Sequence, residues 1–353
     1  MTGEQILDEV AAFIKRYVVL PSDDALVAVV LWTMHAHCLE AAESTPYLSV
    51  QSPEKRSGKT RLLEVLELLV PRALRASAAS ESALFRSIAE DPPPTLLFDE
   101  IDAVFTRPRA ETEGLRGVLN AGHRRGSVVI RSVIKGNSVE VERLPVFCAK
   151  VLAGIGTPPD TIGDRSIVIA MKRRAPGERA EKFRYRTVVI TGEQLSNRVA
   201  AWCEKIVPSL SENPPVPDEL DDRAADGWEP LLAIADAAAG KWPVMARKAA
   251  IALSAGRNDD DDVPLGNRLL TDLRAIFDAR VADKMSSQAL CAALAEMETA
   301  PWGDLHGKPI TQRSLSRMLH PYGIRPKSIR VADASTAKGY DRRQFEDSWG
   351  RYS

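Results

Sequence analysis

The sequence predicts an α/β chain: a largely parallel sheet core with N-terminal helices before it and a smaller helix-and-strand unit after it. Three observations carry this. From Pro46 onward, short apolar runs alternate with helix-spaced segments, the pattern of a parallel sheet covered by helices. Ser57-Gly58-Lys59-Thr60 stands between a predicted strand and a predicted helix. Near the C-terminus the order is helix, helix, strand, strand.

Residues 4–18 place apolar side chains at helical spacing. Ser22, followed by two acids, caps a second helix carrying Leu26, Val29, Val30 and Trp32. His35 and His37 near its end face different sides, so they do not share a metal. Tyr47 to Val50 reads as a strand and Lys59 to Leu69 as a helix. Ala73 to Ala76 is a short strand and Ser80 to Ile88 a helix. Thr95 to Phe98 is a buried strand ending in acids. A helix over 111–121, a hairpin over 128–141 and strands over 146–152 and 167–170 complete the core. Residues 207–230, rich in proline and acids, read as a linker, with helices resuming over 228–239 and 243–254. The run Asp259 to Asp262 reads as a solvated loop. The expected organisation is a helical segment 1–44, a core 45–175, a helical region with a Pro-rich linker 176–264, and a last unit 265–353.

Composition sets outer limits. At 44% hydrophobic and 27% charged, the 353 residues can bury at least one full core. The formal net charge of -1 excludes a polycation, so nucleic-acid contact must come from local basic patches. Cys38, Cys148, Cys203 and Cys291 form no metal or redox spacing and read as core residues of a reducing cytoplasm. The longest apolar stretch, 25–34, is too short to span a bilayer, and no signal peptide is visible. A cytoplasmic protein without membrane contact is expected.

The stretch Pro53-Glu54-Lys55-Arg56-Ser57-Gly58-Lys59-Thr60-Arg61 has the context of a phosphate-binding loop, after a strand and opening a helix. Backbone N–H groups at a helix N-terminus suit phosphate. Lys59 would add charge at the β and γ phosphates, and the Thr60 hydroxyl would ligate Mg²⁺. Pro53 and Arg56 stand where such loops carry glycine, so the loop is expected to turn with φ values open to other residues. The strand Thr95 to Phe98 delivers Asp99 and Glu100 at its C-terminal end, where ligands bind in open α/β sheets. Asp99 would hold Mg²⁺ through water, and Glu100 would orient and deprotonate the attacking water. The alternative is that these acids, with Asp102, cap the next helix; for Asp102 that reading is preferred.

With these motifs about forty residues apart, the chain resembles ATPases of the AAA+ type, in the helicase branch that includes the viral superfamily 3 helicases. It is similar, more closely, to an uncharacterised family of P-loop ATPases from actinobacteria and their phages. The resembling segments include residues 57–64, Leu97-Phe98-Asp99-Glu100-Ile101-Asp102, residues 119–126, residues 161–167 and several short C-terminal motifs, spread over roughly residues 45–350. The resemblance implies bound ATP and Mg²⁺, a ring-like homo-oligomer and a polar sensor near the strand 146–152, where Lys150 and Thr157 are the polar residues at hand. It makes Arg165 a candidate arginine finger, against an internal salt bridge. It also implies that the hairpin tip grips DNA through Lys135, against a merely solvated lysine.

In the last unit, Ser286 to Met297 and Gln312 to His320 read as helices, with strands at 328–331 and around Gly339-Tyr340. This is the order of a winged helix-turn-helix. Between Leu305 and Ala332 there are no acids, while Lys308, Arg313, Arg317, Arg325, Lys327 and Arg330 all fall there. Arg313 and Arg317 share a helix face. The set suits duplex backbone contacts; packing or assembly is the alternative. The reading is an oligomeric, Mg²⁺-dependent ATPase acting on DNA, a helicase, translocase or replication initiator of a phage or mobile element. The alternative is a nucleotide-controlled regulatory or defence switch whose last unit binds DNA or a protein.

Overall fold

The computed structural model describes residues 2–52, 56–76, 81–102, 109–135, 138–155, 160–210, 213–255, 265–297, 300–305, 308–330 and 336–352. Asp259 to Asp262, Pro53, Glu54, Lys55 and Thr157 therefore lie outside the described residues. The chain forms two compact units, Met1–Gly256 and Arg257–Ser353.

The first unit begins with α1 (Gly3–Tyr17), closed by a capping box between Thr2 and Gln5. Ser22 caps α2 (Asp23–His37) by accepting the Ala25 N–H. Residues on every side of α2 are buried, as expected of a helix surrounded by others. His35 is one of them, bonded to Thr45 Oγ1 at 2.8 Å; His37 bonds the Leu69 carbonyl at 2.7 Å. The four cysteines are free and buried.

The sheet follows: β1 (Tyr47–Ser52), α3 (Lys59–Glu67), β2 (Ala73–Ala76), α4 (Glu81–Ile88), β3 (Thr95–Phe98) and α5 (Arg109–Ala121). Next come the hairpin strands β4 (Val128–Lys135) and β5 (Ser138–Pro145), then β6 (Lys150–Ile155), α6 (Asp160–Gly163) and β7 (Ser166–Ala170). Five strands pair in the order β2-β3-β6-β1-β7, all parallel. Side chains alternate between two cores, the period-2 signature of a sheet covered on both faces. Leu48, Val50, Leu97, Val151 and Ala153 enter one core; Tyr47, Leu96, Phe98 and Leu152 enter the other. The first core is completed by α1, α2 and three later helices, α7 (Tyr185–Ile206), α8 (Asp222–Ala238) and α9 (Trp242–Ala255). The N-terminal helices thus pack on the sheet unit itself.

Two expectations shift. The strand placed at 146–152 begins only at Lys150, because Val146 O and Cys148 O turn toward the Lys150 ammonium instead of a neighbouring strand. The linker placed at 207–230 ends earlier, at Asp221, which caps α8. Pro230 sits inside that helix and cannot bond to the Asp226 carbonyl, which accepts the Ser44 hydroxyl at 3.1 Å.

The second unit runs α10 (Leu265–Ala279), β8 (Lys284–Ser286), α11 (Ser287–Ala295), α12 (Gln312–Leu319), β9 (Lys327–Arg330), β10 (Thr336–Asp341) and α13 (Glu346–Tyr352). Its antiparallel sheet is ordered β8-β10-β9. The short β8 was not expected from the sequence. A Cβ at Gly339 would lie 2.3 Å from Met285 O, so β10 reaches β8 only with glycine there. Leu273, Phe277, Leu290, Trp302, Leu315, Tyr340 and Phe345 build a core of its own.

Candidate functional site

The C-terminal ends of β1 and β3 meet one cavity of about 930 Å³. Arg56, Ser57, Gly58, Lys59, Thr60 and Arg61 line it from the β1–α3 connection, and Asp99, Glu100 and Asp102 line it from the end of β3. Gly58 stands at the N-terminus of α3 with φ +92 and no side chain caps the helix, so the first turn presents its N–H groups. Arg56 has φ +66, which corrects the expectation that this loop avoids glycine-type angles. Glu100 is likewise left-handed, at φ +58.

Lys59 Nζ donates to Ser52 Oγ and, at 3.4 Å, to Ser57 Oγ. Burial pushes its ammonium below the ordinary lysine value, while the nearby Asp102 and Asp99 carboxylates pull it back up. Asp99 accepts the Glu100 N–H at 3.1 Å and pairs with Arg75 at 3.5 Å. Thr60 and Glu100 are exposed. Asp102 accepts the Ile155 N–H at 3.1 Å and so ties the end of β3 to the end of β6.

Arg165 is elsewhere. It immediately precedes β7, whose first residue lies opposite Tyr47, the first residue of β1. Lys59 follows the far end of β1, so the two are separated by a strand length, roughly 17 Å. Arg165 donates to Thr161 O and to His123 Nε2 at 3.4 Å, whereas Asp164 pairs with Arg223. Lys150, offered as a sensor, starts β6 at that same end. It is fully buried and donates to Gly122 O at 2.9 Å, Cys148 O at 3.0 Å and Val146 O at 3.1 Å, which makes it a structural residue.

The hairpin register pairs Lys135 with Ser138, leaving a two-residue connection. That connection and the Lys135 side chain lie outside what is described. In the second unit, Lys308, Arg313, Arg317, Arg325, Lys327 and Arg330 are all exposed. On α12, Leu315 and Leu319 are buried while Gln312, Arg313 and Arg317 stay in solvent. Lys338, paired with Ser328, adds an exposed cation beyond the acid-free window.

The sequence reading missed the other side of the cavity. Tyr17, Val18 and Val19 at the end of α1 line it, as do Arg174 and Ala180 to Phe183 from the strap between β7 and α7. The run Lys172-Arg173-Arg174, directly after an apolar strand, is the signal that could have found it. Among the described residues, no cluster of His, Cys, Asp and Glu forms a metal site of its own, and no helix is long and apolar enough to cross a membrane.

Comparison with solved structures gives distant likenesses. The apo C-terminal region of NrS-1 shares 11% identity at a TM-score of 0.48, covering 96% of this chain and 75% of that one. JCV helicase shares 16% identity at a TM-score of 0.33, covering 60% of this chain and 70% of that one. At such scores neither likeness assigns a function. An uncharacterised 28.9 kDa protein in the xis 5′ region of Saccharopolyspora erythraea is 39% identical over 183 residues, which is 52% of this chain and 68% of the relative. Residues 170–352, which take in the strap and the second unit, match the profile of a protein family of unknown function, DUF3631, and the chain belongs to that family.

Proposed function

We propose that the chain is a Mg²⁺-dependent ATPase of the P-loop, AAA+-like type that acts on DNA as an oligomer. The observation that carries this is the shared cavity. It brings an uncapped helix N-terminus with Lys59 and Thr60 together with Asp99 and Glu100, where the C-terminal ends of β1, β3 and β6 of a parallel sheet open. In this reading residues 45–175 are the ATPase core, 1–44 and 176–264 its helical cover, and 265–353 a winged DNA-binding domain.

The residues fit a hard cation, since the Thr60 hydroxyl and the Asp99 carboxylate line one cavity and supply oxygen. When bound, Mg²⁺ supplies charge neutralisation between phosphate oxygens. The α3 N–H groups and Lys59 hold the phosphate chain. Lys59 is held by Ser52 and Ser57 before ligand arrives, so little ordering is needed on binding. Glu100 takes the proton from the attacking water. Its left-handed backbone at the end of β3 is the kind of strain that functional residues retain. Arg174 and Lys182, from the strap, add positive charge to the same cavity.

Arg165 cannot reach the phosphates of its own chain from the opposite end of β7, so its role as a finger requires a neighbouring copy. The exposed Val128, Ile130 and Val141 on one side of the β4–β5 hairpin suit such assembly. The order β8, α11, α12, β9, β10 supports the winged-helix reading, and the exposed cations of α12 and β9 suit a duplex backbone.

The test is ATP turnover without DNA, with single strands and with duplex. Stimulation by DNA that is lost in Lys135→Ala supports a motor with its hairpin on the strand. Turnover indifferent to every DNA leaves the nucleotide-controlled switch as the better reading.

A further inference from the structure

The cavity is larger than a phosphate chain requires. At about 930 Å³ it falls among pockets that enclose whole drug-sized ligands. Besides the loop and β3 residues, it is lined by apolar side chains from two segments distant in sequence, Tyr17, Val18 and Val19 and then Ala180 and Phe183, with the charged Glu181 and Lys182 between the last two. They are fastened to each other. The Glu181 N–H donates to the Arg16 carbonyl at 2.8 Å, and the Arg16 guanidinium meets the Glu181 carboxylate at 2.8 Å. The Tyr17 and Phe183 rings meet edge to face with centroids 5.4 Å apart. The wall is also joined to the phosphate end, because the Arg61 guanidinium from the first turn of α3 lies over the Phe183 ring at 4.6 Å.

A pocket lined by cations and helix N–H groups and, next to Arg61, by fastened apolar side chains suits a polyphosphate that carries a flat, poorly solvated group. We propose that Val19 and Phe183, beside Tyr17 and Val18, form the nucleobase subsite of this cavity. The ligand is then a nucleoside triphosphate gripped through its base as well as its phosphates. The assignment rests on the phosphate reading of Ser57 to Arg61. Tyr17 and Val18 are buried whereas Val19 and Phe183 are half-buried, so the second pair keeps apolar surface to offer a base, Phe183 beside the Arg61 guanidinium. The Arg16–Glu181 pair is about half exposed on both sides and adds little energy; its part is to hold the strap in register.

The experiment compares binding of Mg²⁺-ATP and of Mg²⁺ with inorganic tripolyphosphate to the full chain. Wild type binds ATP at least about tenfold more tightly, the size expected from one stacked base. Phe183→Ala and the neutral Val19→Asn each lose about that factor for ATP and change tripolyphosphate affinity by less than about twofold. Should Phe183→Ala lose its folded signal, Phe183→Leu keeps the packing on Tyr17 and gives the same comparison. Equal affinity of wild type for both probes, or parallel loss of both in the variants, overturns the subsite and leaves the phosphate site standing. Undiminished binding of both probes by Lys59→Ala overturns the phosphate site itself, and the subsite with it.

Discussion

Arg56 and Glu100 hold left-handed backbone angles and line one cavity with Lys59 and Asp99, the residues that the proposed hydrolysis would use. At this scale the gathering of Gly58-Lys59-Thr60 and Asp99-Glu100 around one cavity, the proposed phosphate end, was legible, because both are local patterns at strand ends. The wall of the cavity was not, since nothing in the sequence says that Tyr17 and Phe183 meet. Lys150 misled for a similar reason: only the fold shows that its ammonium is enclosed by carbonyls. Lys150→Met leaves those acceptors without a donor and should cost roughly 1–3 kcal/mol in urea unfolding. His35 sets a pH response. Burial lowers it from 6.5 to about 4, so it stays neutral in the fold while the unfolded chain takes up a proton. The unfolded state therefore binds more protons between those values, and stability is lost as pH falls through that window, by about 3 kcal/mol in all. Urea melts from pH 7 to pH 4 should show this slope in wild type and a flatter one in His35→Asn.

Among the elements, strands flanked by turns and helices with capping residues could be read directly. Thr95–Phe98 appears at the expected residues and Ser22 caps as expected, while Ser286, expected inside its helix, caps it instead, as Thr311 does the next. What escaped was decided by contacts between elements. β8 has three residues and exists through its pairing with β10. The α8 start was hidden by the prolines and acids just before it, and Pro230 inside the helix is tolerated because Ser44 takes over the freed carbonyl. The function of α12 has a prediction of its own. Replacing Arg313 and Arg317 by alanine should weaken duplex binding evenly across sequences and reduce the slope of log affinity against log salt by about 2. Fluorescence anisotropy over a salt series measures it; a slope equal to that of wild type would assign the helix to packing or assembly.

For the molecule as a whole, the arrangement of Lys59 and Arg165 at opposite ends of the sheet makes a single copy incomplete in this account. Lys59→Ala and Arg165→Ala should each be inactive alone. Mixed, they should recover part of the wild-type turnover, because a neighbour then supplies the intact finger to an intact loop. No recovery at any ratio would make Arg165 an internal residue, held by Thr161 and His123. This scale was the least legible in the sequence, where only the resemblance suggested a finger, since whether a residue acts within its own chain or on another copy leaves no local pattern. Phosphate release from Mg²⁺-ATP, read alongside ATP binding for wild type, Lys59→Ala and Glu100→Gln, tests the proposed hydrolysis itself. Wild type should turn over ATP, Glu100→Gln should bind it with turnover reduced about a hundredfold or more, and Lys59→Ala should do neither. Wild type that binds no ATP, or Lys59→Ala that hydrolyses it as wild type does, would contradict the proposal.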